Sequence, residues 1–162
     1  MHRIFTLILL SFIGSILSAQ IHWETMVKAN HNWNYLIGNS QSPASWHTIG
    51  FDDSSWNTAK GSFGFGDGDD TTVLSITHSL YIRHKFSLSD KSIIDSLILD
   101  IDYDDAYVVY LNGSMVSRSY DVETDFPAYN YTPTIDQEAA MYMGGKPTRL
   151  LYQRAICWME II

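Results

Sequence analysis

In FGFGDGDD, three carboxylates fall within four positions, at Asp67, Asp69 and Asp70. Hard cations such as calcium take about six to eight oxygen ligands, and clustered carboxylates on an adaptable glycine-rich chain supply several of them. The stretch is therefore expected to hold a structural calcium ion. It is no EF-hand, because the twelfth position counted from Asp67 is His78, where that loop requires glutamate. The competing reading is a glycine-rich β-turn whose aspartates are solvated.

A second acidic cluster comprises Asp100, Asp102 and Asp104, with Asp105 beside them. Alternate positions place the first three on one strand face, where like charges repel unless cations sit opposite. Arg83 and Lys85 are the expected cross-strand partners, ahead of a second metal ion. Aromatic side chains grip sugars by stacking on the apolar face of the ring, and Trp46, Tyr129 and Tyr131 are the candidate ligand-binding residues. Most of the five tryptophans and ten tyrosines must nonetheless pack the interior of a domain this size.

The motifs of common enzyme classes are missing. There is no G-x-S-x-G, no H-E-x-x-H and no P-loop, and GFGDG lacks the glycine spacing of a dinucleotide loop. The adjacent carboxylates of FDDSSW cannot flank a glycosidic bond from opposite sides at about 5 Å or more. Asp52 or Asp53 instead suits the cap of a single turn through Ser54 and Ser55, with Phe51 and Trp56 tucked under a sheet on either side. The expectation is a non-catalytic protein.

The elements that must position these residues read as short strands. In SLYIRHKFSL, Leu80, Ile82, Phe86 and Leu88 are expected to face inward and Tyr81, Arg83, Lys85 and Ser87 outward. His84, on the apolar face, reads as a hydrogen-bonded strand histidine. DSLILDIDY repeats the pattern, with Leu97, Leu99, Ile101 and Tyr103 inward. AYVVYLNGSMVSRSY predicts a hairpin over 106–119 that turns at Asn112-Gly113 and pairs with the 95–103 strand. NWNYLIG reads as an early strand. Past Tyr120 the alternation loosens into a long surface excursion. These features predict an all-β fold, an antiparallel β-sandwich or jelly roll.

Net charge and the first residues bound the setting. The chain has 162 residues and a formal charge of -8, with no basic stripe to neutralise phosphates, so no nucleic-acid partner is expected. Residues 1–19, with His2 and Arg3 before an apolar run and Ala19 before Gln20, have the layout of a cleaved signal peptide. Secretion or a cell-surface location follows, with no membrane span after cleavage. Cys157 is alone, so no internal disulfide supports the fold.

Trp33-Asn34-Tyr35, Trp46, GFDDSSW, FGFGDGDDTTVL, LYIRHKFSL and DYDDAYVVYLNG occur in an order that resembles galactose-binding-like jelly-roll domains of exported bacterial multidomain proteins. The nearest likeness is to the domain found beside spore-coat-type (CotH) kinase-like and lamin-tail modules, and a looser one is to the sugar-binding domain of β-galactosidases. The resemblance covers roughly residues 30 to 149. It implies a β-sandwich without its own catalytic centre, serving as an accessory module for polysaccharide or cell-surface glycan, and often a structural calcium. The alternative is a spacer that positions a neighbouring kinase-like or hydrolase domain and binds nothing. The domain is expected to occupy 20–149. Residues 150–162, LLYQRAICWMEII, depart from the closing strands that the resemblance calls for. They are expected to be an atypical, frameshifted tail that leaves the sandwich incomplete at its C-terminus.

Overall fold

Alternation of asparagine with aromatic residues in NWNYLI builds the central strand of the largest sheet. The computed structural model describes residues 22–66 and 68–153. β1 (Asn32–Ile37) is flanked by β2 (Asn57–Lys60) and β5 (Leu80–Arg83), both antiparallel to it. β3 (Phe63–Gly64) and β4 (Thr72–Val73) make a two-residue parallel contact beside this sheet. β6 (Ser96–Ile101) pairs antiparallel with β9 (Thr148–Gln153), and β7 (Val108–Leu111) with β8 (Ser114–Arg118). Apart from single 3-10 turns at Lys91–Ile93 and Met141–Met143, the regular structure among the described residues is all β. No helix there is long and apolar enough to cross a membrane. The all-β, predominantly antiparallel architecture agrees with the alternation read from the sequence.

The β7–β8 hairpin turns where expected. Asn112 and Gly113 both have positive φ, 53° and 88°, as a tight two-residue turn between right-twisted strands requires. Its pairing differs from expectation. The hairpin is a ribbon of its own, and the 95–103 strand takes β9 as partner. Leu97 faces Tyr152 and Leu99 faces Leu150 across that ladder, so the half-buried positions of the two strands coincide. Arg149 adds a two-pronged ion pair to Asp100, 2.7 Å for each bond. Leu150 to Gln153, expected to depart from the closing strands, are paired as strand with Leu99 to Ser96. Tyr152 also donates to the Val116 carbonyl at 3.1 Å, and Tyr103 meets Tyr107 at 4.5 Å, which joins the two ribbons. The first residues, 1–19, and the tail beyond Gln153 lie outside the described residues.

The interior is built on aromatic rings rather than aliphatic side chains. Val122, Tyr81 and Trp56 are the most buried apolar residues described, at 3, 8 and 9% exposure, and no large side chain there is wholly enclosed. Trp46 is the hub. Its ring lies 5.0 Å from Tyr81 of β5, 5.3 Å from Tyr110 of β7 and 6.3 Å from Trp56, which in turn meets Phe51 at 5.6 Å. Each such aromatic contact adds about 0.5–1.5 kcal/mol beyond area burial. FDDSSW thus performs the structural task foreseen for it: Asp52 accepts from the Ser54 N–H at 3.0 Å, and Phe51 and Trp56 close over the turn.

One face assignment is reversed. On β5 it is Tyr81 that is buried, whereas Ile82 is 41% exposed. Arg83 lies on the Tyr81 side and is buried with it, its side chain 9% exposed. The apolar residues of this strand do not mark the core face, because the segment covering it, Trp46 to Trp56, brings rings and bare carbonyls that suit tyrosine and arginine better than aliphatic groups.

Candidate functional site

Cross-strand register gathers the polar residues of β1 and β5 at one end of the main sheet. Asn34 stands directly opposite Arg83, and Asn32 lies two residues away on the same face of β1. The FDDSSW turn brings Asp53 over these strands. Arg83 Nε donates to Asp53 Oδ2 at 2.9 Å and Lys85 Nζ to Asp53 Oδ1 at 3.0 Å. With His84, these six residues line a cleft of about 210 Å³.

Arg83 is fully committed. Besides Asp53, its guanidinium donates to the carbonyls of Trp46 and Thr48, the latter at 3.1 Å, and its plane lies 5.2 Å from the Phe51 ring centroid. A planar fork with several donors suits such a site, where a lysine ammonium would reach only one or two acceptors. Asp53 is 5% exposed. Burial by itself would raise its pKa, but hydrogen bonds from Arg83, Lys85 and Asn34 outweigh that and hold the carboxyl at about 2. Thr58 fixes the Asn34 amide by donating from Oγ1 to Asn34 Oδ1 at 2.9 Å.

His84 lies 3.0 Å from the Asn32 carbonyl through Nδ1, as a hydrogen-bonded strand histidine should. A carbonyl only accepts, so Nδ1 carries the proton and Nε2 of the neutral ring is an acceptor. The rings of Trp33 and His31 rest against it at 4.8 and 5.3 Å. The Lys85 side chain is 65% exposed, so its ammonium is both tethered to Asp53 and open to solvent.

The candidate ligand-binding residues Trp46, Tyr129 and Tyr131 are not among those that line the cleft. Trp46 forms the aromatic hub and offers its carbonyl to Arg83. Tyr129 and Tyr131 share the 120–147 excursion: the Tyr129 N–H donates to Gln41 Oε1 at 2.9 Å, and the Tyr131 hydroxyl donates to the Asp121 carbonyl at 2.7 Å. Trp46 packs inside, Tyr129 is tied through its backbone to Gln41, and Tyr131 is held to Asp121 within the excursion. Asp67 lies outside the described residues. Asp70 is packed so closely on β3 that a Cβ at Gly64 would fall 1.9 Å from Asp70 Oδ2, which only glycine avoids. Among the described residues no three His, Cys, Asp or Glu are grouped to hold a metal ion.

The second acidic cluster has other partners than Arg83 and Lys85, which is a correction. Asp100 is matched to Arg149. Asp102 accepts from the N–H groups of Ala140 and Met141, both at 2.9 Å, and Asp104 from Ala139 at 2.6 Å. Repulsion along this face is relieved by backbone donors as well as by a cation. Asp121 acts in the same way on Thr134 and Ile135, at 3.0 and 3.4 Å. The excursion is thus tied down by carboxylates that each cap a stretch of backbone.

Alternation could have found the cleft, since Asn32, Asn34, Arg83 and Lys85 are polar at every second position of two strands. What it lacked was Asp53, 30 residues from Arg83 in sequence. Comparison with models of protein families, with curated proteins and with solved structures found no match for this chain.

Proposed function

We propose that the protein is an exported, non-catalytic accessory module of jelly-roll type that binds a saccharide, and that the cleft of Asn32, Asn34, Asp53, Arg83, His84 and Lys85 is where it does so. The observation that carries this reading is the cleft's lining: six polar side chains supply amide, imidazole and ammonium groups around about 210 Å³. Pockets for drug-sized ligands run to about 300–1,000 Å³, so this one suits a single sugar ring. The galactose-binding-like resemblance points the same way. A non-catalytic role is supported by Asp53 itself. A carboxyl held at about 2 is a poor proton donor or acceptor near neutral pH, and glycoside hydrolysis calls for two carboxyl groups across the bond.

Binding of the purified protein to an array of oligosaccharides, followed by titration calorimetry on the best ligand, tests the reading. Asn32→Ala is expected to weaken binding, and Tyr129→Ala, in the excursion, to leave it unchanged. A folded protein that binds none of the glycans would overturn the proposal. The competing reading, a spacer that positions a neighbouring domain, is favoured by one observation: both Asp53 oxygens are taken up by the protein's own cations.

A further inference from the structure

We propose that the saccharide taken by the cleft carries a negative substituent, a ring carboxylate or a sulfate ester, and that Lys85 receives it. The inference rests on the saccharide reading and adds the class of sugar. Two permanent cations, Arg83 and Lys85, face one carboxylate, Asp53, among the lining residues. Asp53 and Arg83 are matched to each other inside the protein, at 2.9 Å and with side chains 6 and 9% exposed. Among the lining residues the surplus positive charge therefore sits on Lys85. Its ammonium has three N–H groups, one of which is directed at Asp53 at 3.0 Å, while the side chain remains 65% exposed. Asp52, the adjacent carboxylate, also interacts electrostatically with Lys85, but it directs an oxygen to the Ser54 N–H and is not among the lining residues. On a chain of formal charge -8, the residues that line the cleft thus carry one positive charge in excess, held in place by Asp53.

Position distinguishes this lysine from one on an open surface. Asp53 orients the ammonium, and Arg83, fixed by Trp46 and Thr48, orients Asp53. An anion approaching the cleft meets a preorganised donor, with the Asn32 amide and the His84 ring beside it to bind neighbouring hydroxyls. A neutral sugar would leave the ammonium with Asp53 as its charged partner and would add none on the solvent side.

Calorimetric titration of the purified protein with three matched oligosaccharides tests the inference: one built of uronic acids, one sulfated and one neutral. The expected result is binding of one or both anionic forms at least about tenfold tighter than the neutral form, the scale of a hydrogen bond to a charged group. The advantage should shrink as ionic strength approaches 1 M, where the screening length falls to about 3 Å. Lys85→Gln should abolish the preference and Lys85→Arg retain it, with circular dichroism confirming that both variants fold. Whichever anionic arm binds identifies the substituent. Equal binding of all three sugars, or a preference that survives Lys85→Gln, would overturn the inference and leave the saccharide reading standing. Binding of none of them would overturn both.

Discussion

Arg83 Nε lies 2.9 Å from Asp53 Oδ2, with both side chains more than nine-tenths withdrawn from solvent. This pair links a strand to the turn that covers it, and it lies beneath the candidate cleft. The same guanidinium holds the chain at Trp46 and Thr48, so one residue organises three separate segments.

Removing one member of such a pair leaves the other charge buried without its partner. Asp53→Ala is expected to destabilise the protein by about 3–5 kcal/mol. Replacing both, Asp53→Ala with Arg83→Met, should cost less than the sum of the single changes, because neither charge is then stranded. Denaturant midpoints of the two single variants and the double variant measure this coupling; strict additivity would contradict it.

The pair also predicts acid sensitivity. Asp53 is held at about 2 in the folded protein against an ordinary 3.8. A depressed carboxylate contributes stability that is complete above its unfolded value and is lost as pH falls through its folded value. The contribution, about 2 kcal/mol at about 1.4 kcal/mol per pH unit, should therefore begin to fall near pH 4 and be gone near pH 2. Melting curves across that window should show a slope that Asp53→Asn reduces.

At the hairpin tip, Gly113 has φ 88°, and a Cβ there would sit 3.6 Å from Thr48 Cα, an ordinary contact. Gly113→Ala thus tests backbone conformation with little steric clash. A loss of about 1–2 kcal/mol is expected from forcing alanine into the left-handed region. A neutral result in thermal unfolding would mean that the turn relaxes to another form.

Asp102 anchors the long excursion by accepting from Ala140 and Met141. Asp102→Ala leaves these donors without their acceptor, at a cost of about 1 kcal/mol by analogy with loss of a helix cap. The local readout is sharper: hydrogen exchange should accelerate over 139–143 and remain unchanged in β1 and β5. Uniform acceleration would mean that Asp102 supports the whole fold instead.

Much of the secondary structure is legible in local sequence. Period-two alternation locates β1 and β6, and Asn112-Gly113 marks the hairpin, because only residues tolerant of positive φ make that turn. FDDSSW encodes its own turn through the short side chain of Asp52. These features depend on neighbours a few residues away, so the chain determines them by itself.

Pairing, facing and charge matching were decided by tertiary structure. Which strand would cover β6 depended on how Leu150 and Tyr152 fit Leu99 and Leu97 across some 50 residues of chain, and on Arg149 meeting Asp100. The inward turn of Tyr81 and Arg83 depended on what lay over β5: aromatic rings and free carbonyls that accept a guanidinium more readily than an isoleucine. Asp53 looked like a second candidate for the turn's cap until folding placed it beside two cations. Local sequence sets the conformation of a strand or turn, but the partner of a buried charge is chosen by proximity in space, and only the assembled fold brings that partner within reach.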